Sequence, residues 1–331
     1  MGQAEVTNAL DADQRPAGRL IDYYAIARLD HAIKHVFVIP GVILAFVLRP
    51  DFNRFSVVNA ILILLSCVFS ASANYVINEW LDAPFDRIHP KKSNRPCVAR
   101  KMSPTLIYSE YLILAVLGLG AGYLVSSLAL YTSIALLLSG LIYNVNPIRS
   151  KDVVFLDVLS EALNNPIRMV FGWAMVDPTS LPPSSLLLAY WMGGCFLMNT
   201  KRLAEYRDVS RKIGAFGLAQ YRRSFRFYTE QRLLLASFLY AQMSIFGCSI
   251  FIIKYRIEYT LALPFVALLF CLYFRIGLKP DSNAQTPERL TKERGLMLAV
   301  GILVCIFFVL SIVNLPFLEP FMSARYIQLP N

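Results

Sequence analysis

Charge is scarce in this chain. Of its 331 residues, 16% are Asp, Glu, Lys or Arg, against about 25% in an ordinary soluble domain, and that shortfall argues against a cytosolic enzyme. Histidine is scarcer still: His31, His35 and His89 are the only three, and their spacing gives no metal-ligand pattern. The six cysteines include no Cys-x-x-Cys pair, and five lie within or at the edge of apolar runs, which argues against a disulfide framework or a zinc site. No Gly/Ser-rich or Pro-rich linker and no low-complexity segment divides the chain. Residues 1–20 lack a basic n-region followed by an apolar core and do not read as a cleaved signal peptide. The expected organisation is therefore a polar N-terminal tail over 1–20 and a single membrane domain over 21–331.

What the chain has in abundance is apolar length, with 56% hydrophobic residues. Spanning a bilayer takes about 20 mostly apolar residues. About nine such stretches lie near 32–48, 55–77, 104–124, 126–145, 153–176, 184–200, 232–253, 259–276 and 295–317. Only helices or closed barrels satisfy backbone polar groups in lipid, so the expectation is an all-α, polytopic bundle. Positive residues set its orientation. Of the 32 Lys and Arg, 26 fall in 1–34, 78–103, 146–152, 199–232 and 275–294, and five in the alternate loops and C-terminal segment. That split puts the N-terminus in the cytoplasm and the C-terminus outside, as in a multi-pass protein of a bacterial inner or plasma membrane. It also accounts for most of the net charge of +10 without a nucleic-acid partner.

Polar residues at the span ends carry the chemistry. Asn74, Asn78, Asp82 and Asp86 recur every fourth residue, which on a helix stacks them on one face about 6 Å apart. A solvated helix end would explain surface acids there. A divalent-metal site would explain them as Mg2+ ligands, since Mg2+ is held by one or two carboxylates plus substrate phosphates. Pro84 falls within this stack, and an interior proline predicts a broken or kinked helix with Asp86 displaced. The loop that follows contains Arg87, His89, Lys91, Lys92 and Arg95, either a topology signal or a phosphate clamp. In the fifth stretch Asp157, Glu161, Asn164, Asn165 and Arg168 share helical spacing. Ionisable groups there face a cavity or a partner rather than lipid, or else form a buried structural network. Asp157-x-x-x-Glu161 repeats the step of Asp82-x-x-x-Asp86. Tyr143, Asn144, Arg149 and Lys151 end the fourth stretch, and Lys201, Arg202 and Glu205 end the sixth; cations at such places also serve simply to snorkel.

The run Asn78-x-x-x-Asp82-x-x-x-Asp86-Arg87, a basic stretch and Asn94-Arg95-Pro96 together resemble the first signature of the UbiA superfamily of intramembrane prenyltransferases. Asp157-x-x-x-Glu161 falls where that superfamily carries its second acidic motif. Finer features are similar to the polyprenyl-phosphate (decaprenyl-phosphate) phosphoribosyltransferase branch: His89-Pro90-x-Lys92-x-x-Arg95-Pro96, Lys34, Arg168 with Gly172, Lys201-Arg202-x-x-Glu205, Tyr228-Thr229, Thr286-Pro287-Glu288 and Glu293-Arg294. Glu79 and Arg100 stand where the superfamily usually has Asp and Gly.

The resemblance implies a Mg2+-dependent transferase acting on a polyprenyl phosphate or diphosphate lipid, with its groove between helices open to membrane lipids. Asn78, Asp82, Asp86, Asp157 and Glu161 would hold the metal. Asp82, Asp86, Asp157 and Lys201 would be catalytic. Lys34, Asn78, Arg87, His89, Lys92, Arg95, Tyr143, Arg149, Lys151, Arg168, Arg202 and Glu205 would bind substrate or diphosphate. The second partner is phosphoribosyl diphosphate, or an aromatic acceptor if the donor is a prenyl diphosphate. A rival from another class is a secondary transporter of an anionic metabolite with Arg168 in its site.

Overall fold

The computed structural model describes residues 15–87 and 92–322; for 30–34, 213, 215–217, 219–221, 287–288, 319 and 321–322 it describes the backbone only. The chain groups into two compact units, Met1–Leu181 with Phe216–Phe227, and Pro182–Ala215 with Tyr228–Asn331.

The first unit holds α1 (Leu20–Ile26), a 3-10 stretch (Leu29–Val38) that runs into α2 (Ile39–Leu48), α3 (Val57–Asp86), the single turn α4 (Pro96–Ala99), α5 (Pro104–Tyr123), α6 (Ser127–Asn144), α7 (Leu156–Ala162) and α8 (Asn164–Ala174). Helix starts follow from local chemistry. Pro40 and Pro104 occupy first turns, where a missing N–H costs nothing. The Ser126 hydroxyl accepts the Ala129 N–H at 3.1 Å, as an N-cap should.

Helix α3 is central, packed by α5, α6 and α8 over a core of Ile63, Cys67, Ala71, Leu136 and Phe171. Small residues let the backbones approach. A Cβ at Gly140 would stand 2.0 Å from Asn74 Cγ, and one at Gly172 would stand 2.0 Å from the Val38 carbonyl oxygen. Polar groups buried at these crossings bond between helices: the Asn74 amide donates to the Leu136 carbonyl at 2.7 Å and the Ser66 hydroxyl to the Gly118 carbonyl at 2.7 Å.

The second unit holds most of α9 (Ser184–Tyr221), then α10 (Glu230–Tyr255), α11 (Leu263–Gly277) and α12 (Arg294–Ile312). Helix α9 leaves helical geometry at Gly214, with φ 68°, a left-handed conformation that glycine adopts without strain. Asn199 ties α9 to α10 through the Leu233 carbonyl and Ser237 hydroxyl, at 2.7 and 2.8 Å. Phe196 of α9 meets Phe270 of α11 at 4.7 Å between ring centres.

The fold is all-α as expected: among the described residues there is no strand, only an isolated parallel bridge between Ala17 and Lys101. Among the described residues six helices are by themselves long and apolar enough to cross a membrane: Val57–Asp86, Pro104–Tyr123, Ser127–Asn144, Glu230–Tyr255, Ile257–Gly277 and Arg294–Ile312. The other three expected stretches differ for identifiable reasons. The first holds only a short apolar helix, His35–Leu48. The fifth divides at Leu163 into α7 and α8, where the Asn164 side chain donates to the Glu161 carbonyl at 3.1 Å. The sixth opens a 38-residue helix that continues through the charged residues from Lys201 onward.

Candidate active site

At its C-terminal end α3 presents Asn78, Asp82 and Asp86 on successive turns. The expected break at Pro84 does not occur, and the helix runs through it to Asp86. Pro84 has no N–H to give the Trp80 carbonyl, and the helix carries that one missing bond within a turn of its end.

Each acid is met by cations. Asp82 accepts from Arg149 Nη2 at 3.0 Å and from Lys151 Nζ. Asp86, 4% exposed, accepts from Arg95 Nη1 at 2.6 Å, and Lys92 Nζ lies 3.6 Å away. Asp157 on α7 is fully buried, with Arg222 Nη2 at 3.2 Å and the Ser224 hydroxyl donating at 3.4 Å. The Tyr143 hydroxyl donates to Glu161 at 3.0 Å.

The hairpin 144–152 binds these parts together. Asn144 accepts from Asn78 and, at 2.8 Å, from Lys151 Nζ. Arg149 reaches the Asn144 carbonyl at 3.1 Å and Asp152 at 3.0 Å. Its backbone is left-handed, with φ 30°, a strained position for a residue with a Cβ, costing of order 1–3 kcal/mol. That strain is held by the buried contacts and aims the guanidinium at Asp82. Arg222 spans the gap to α7 by donating to Tyr143 Oη at 3.3 Å and the Lys151 carbonyl at 3.4 Å. Arg149 and Arg223 both lie over the Phe85 ring, at 4.9 and 5.0 Å. Burial pushes the Lys151 ammonium down to about 8, against the opposing pull of Asp82 and helped by Arg149 and Arg222.

Asn78, Asp82, Tyr143, Arg149, Lys151, Asp157 and Glu161 are thus one connected network, with Asp86 beside it at the end of α3 and Lys92 and Arg95 in the loop that follows. Arg87 is exposed at the end of α3. Arg168 is placed elsewhere, buried beside Cys67 with its Nε lacking a hydrogen-bond partner. Lys201, Arg202 and Glu205 belong to the second unit, where Arg202 is buried and donates to Glu205 at 3.1 Å. His89 and the side chain of Lys34 lie outside the described residues. Glu79, one residue from Asn78, pairs with Arg28 at 2.7 Å.

Sequence reasoning passed over Asp152, Arg222, Arg223 and Ser224. The Arg222-Arg223 pair was visible in the sequence, but only as two of 26 basic residues on one side; nothing in the spacing linked it to Asp157, 65 positions earlier. Among the described residues no three His, Cys, Asp or Glu side chains cluster into a ready metal cage. The arrangement alternates carboxylates with cations, which suits a ligand that itself carries both signs.

Residues 36–292 match the UbiA prenyltransferase family. No curated protein sequence matches the chain. Among solved structures, a UbiA homolog from Archaeoglobus fulgidus bound to DMAPP and Mg2+ is 17% identical with a TM-score of 0.66, covering 87% of this chain and 99% of that one. The same protein bound to GPP and Mg2+ gives 17% identity and 0.65, covering 88% and 100%. A structure described for digeranylgeranylglyceryl phosphate synthase gives 16% and 0.58, covering 88% and 98%. At these identities the likeness is one of fold.

Proposed function

The chain belongs to the UbiA prenyltransferase family, and from that premise we propose that residues 21–331 form one Mg2+-dependent transferase domain acting on a diphosphate donor at the cytoplasmic membrane face. The observation that carries this reading is the pairing of every candidate metal-binding acid with its own hydrogen-bond donor: Asp82 with Arg149 and Lys151, Asp86 with Arg95 and Lys92, Asp157 with Arg222, Glu161 with Tyr143. With a metal on these carboxylates, Arg149, Lys151, Arg95, Lys92 and Arg222 would be available to phosphate oxygens.

The donor set fits the metal. Mg2+ is bound through one or two carboxylates plus substrate phosphates rather than by an all-protein cage, and isolated carboxylates without a three-acid cluster are what the described residues supply. Asp82, Asp86 and Asp157, with Asn78 and Glu161 in support, are the side chains from which one or two would be drawn to each Mg2+. When bound, it neutralises charge on the diphosphate as that group leaves.

The protein's own groups do the rest. Arg149 and Lys151, buried to 7% and 6% exposure, are donors fixed in advance where charge develops, and such groups act strongly away from water. Arg95 and Lys92 bring two more from the following loop. Helix α3 and the hairpin fix the donor relative to the acceptor, which lowers the entropy cost of reaction.

The finer reading is transfer of a 5-phosphoribosyl group to a polyprenyl phosphate. The C–O bond to diphosphate breaks with its electron pair on the diphosphate, and an acceptor phosphate oxygen bonds the same carbon. The resemblance of His89-Pro90-x-Lys92-x-x-Arg95-Pro96 to the phosphoribosyltransferase branch supports it, as does the engagement of Lys92 and Arg95 with Asp86. The second reading, prenyl transfer to an aromatic acceptor, is favoured by the DMAPP and GPP found in the Archaeoglobus homolog.

Purified protein given Mg2+ and either phosphoribosyl diphosphate with polyprenyl phosphate, or a prenyl diphosphate with aromatic acceptors, separates the two by mass spectrometry of the lipid product. A phosphoribosylated lipid is expected. A prenylated aromatic product overturns the finer reading, and no product from either mixture overturns the transferase assignment at this site.

A further inference from the structure

The family match begins at residue 36, yet the chain before it is built into the cytoplasmic end of α3. Helix α4, the single turn that follows Lys92 and Arg95, has four residues, too few to hold together alone. It is held from outside. Arg15 Nη1 donates to the carbonyls of Val98, Arg100 and Cys97 at 2.9, 3.4 and 3.5 Å. Backbone pairing continues the contact: the Lys101 N–H donates to the Pro16 carbonyl and the Gly18 N–H to the Lys101 carbonyl, each at 3.0 Å.

The Ser103 N–H donates to the Tyr23 hydroxyl at 2.9 Å, and Asp22 lies 3.9 Å from Arg100. Ile26 and Ala27 pack with Val76 and Ala83 of α3 and with Cys97, Val98 and Met102. The next residue, Arg28, closes the strap by bonding Glu79 of α3 at 2.7 Å. The segment 15–28 therefore touches both ends of the loop that carries Lys92 and Arg95: α3 before it and α4 to Ser103 after it.

We propose that residues 15–28 are a positioning strap for the phosphate clamp, with Arg15 as the positioning residue that fixes the turn from which Arg95 reaches Asp86. Arg95 is the N-cap of α4 and its carbonyl accepts the Val98 and Ala99 N–H groups at 2.9 Å, so the guanidinium of Arg15 on the Val98 carbonyl bears on the same turn. Through these carbonyls Arg15 acts by way of Arg95. This inference rests on the diphosphate reading above, because the clamp is what the strap positions.

The test is equilibrium binding of labelled inorganic pyrophosphate with Mg2+ to the full-length protein in detergent. Arg15→Ala is expected to weaken binding about tenfold, the size of one lost hydrogen bond from a charged group; Arg15→Lys restores part of it. Arg95→Ala weakens binding at least as much, and the Arg15→Ala/Arg95→Ala double variant binds no more weakly than Arg95→Ala alone. Additive losses, or undiminished binding by Arg15→Ala, overturn the strap while leaving the diphosphate site intact. Absence of pyrophosphate binding by the unaltered protein instead overturns the diphosphate reading and the strap's role with it. If Arg15→Ala does not fold, Tyr23→Phe, which removes the acceptor for the Ser103 N–H and keeps the ring, carries the same cycle with Arg95→Ala.

Discussion

Helix α3 places a polar residue on one face at each turn from Ser66 through Ser70, Asn74, Asn78 and Asp82 to Asp86, and the two halves of that face do different work. The first half is a seam. Ser66 bonds the Gly118 carbonyl and pairs with Ser133, and Asn74 bonds the Leu136 carbonyl, with Gly140 pressed against Asn74. The second half is the candidate site, where Asn78, Asp82 and Asp86 meet an amide and four cations. The spacing is the same; what differs is whether the facing helix offers carbonyls and glycines or a hairpin of Arg and Lys. A polar stripe in a membrane helix is thus not by itself a substrate path.

The sharpest way to break this contrast is Asp82→Asn. Removing the charge but keeping the shape is expected to lower turnover per folded molecule by about two orders of magnitude or more, and to lower the melting temperature as well because Lys151 and Arg149 lose their counter-charge; turnover within a few-fold of the unaltered protein would place the chemistry elsewhere. Next is pH. With Lys151 at about 8, activity that depends on its charge falls about tenfold per unit above that value, and Lys151→Arg extends the profile to higher pH. Stability runs the other way: between about 8 and the ordinary 10.5 the unfolded chain holds a proton that the folded one has released, so unfolding becomes harder as pH rises. Opposite slopes in rate and in melting temperature are the signature.

In the seam half, Gly140→Ala forces a methyl into Asn74, whose amide is held by Leu136. A loss of about 1–3 kcal/mol is expected, read as a lower melting temperature with turnover per folded molecule unchanged. The smallest effect is Asn74→Ala, about 0.6 kcal/mol, the mean for a hydrogen bond between membrane helices. Loss of turnover without loss of stability in either seam variant would erase the distinction between the halves.

Much of this was readable beforehand. All six long apolar helices found among the described residues fall on expected stretches, because lipid imposes a length and a composition that a linear window detects. Asp82 and Asp86 stood out because a four-residue step is helical periodicity. The other three stretches form shorter or more polar helices, because polar side chains or neighbouring charged residues decide how far the helix runs, as at Asn164 and beyond Lys201. Arg168 shares spacing with Asp157 and Glu161, but the division at Leu163 puts it on another helix beside Cys67.

By itself, the sequence determined that this is an all-α membrane protein with acidic four-residue steps and an excess of cations over acids, since hydrophobic length, helical period and charge count are all properties of the chain in one dimension. Only the tertiary structure decided which cation meets which acid. Arg222 reaches Asp157, Arg149 and Lys151 reach Asp82, and Arg15 holds the turn after Arg95. Those pairings join residues from 65 to more than 80 positions apart, and are set by packing and by the need to pair every buried charge rather than by any local pattern.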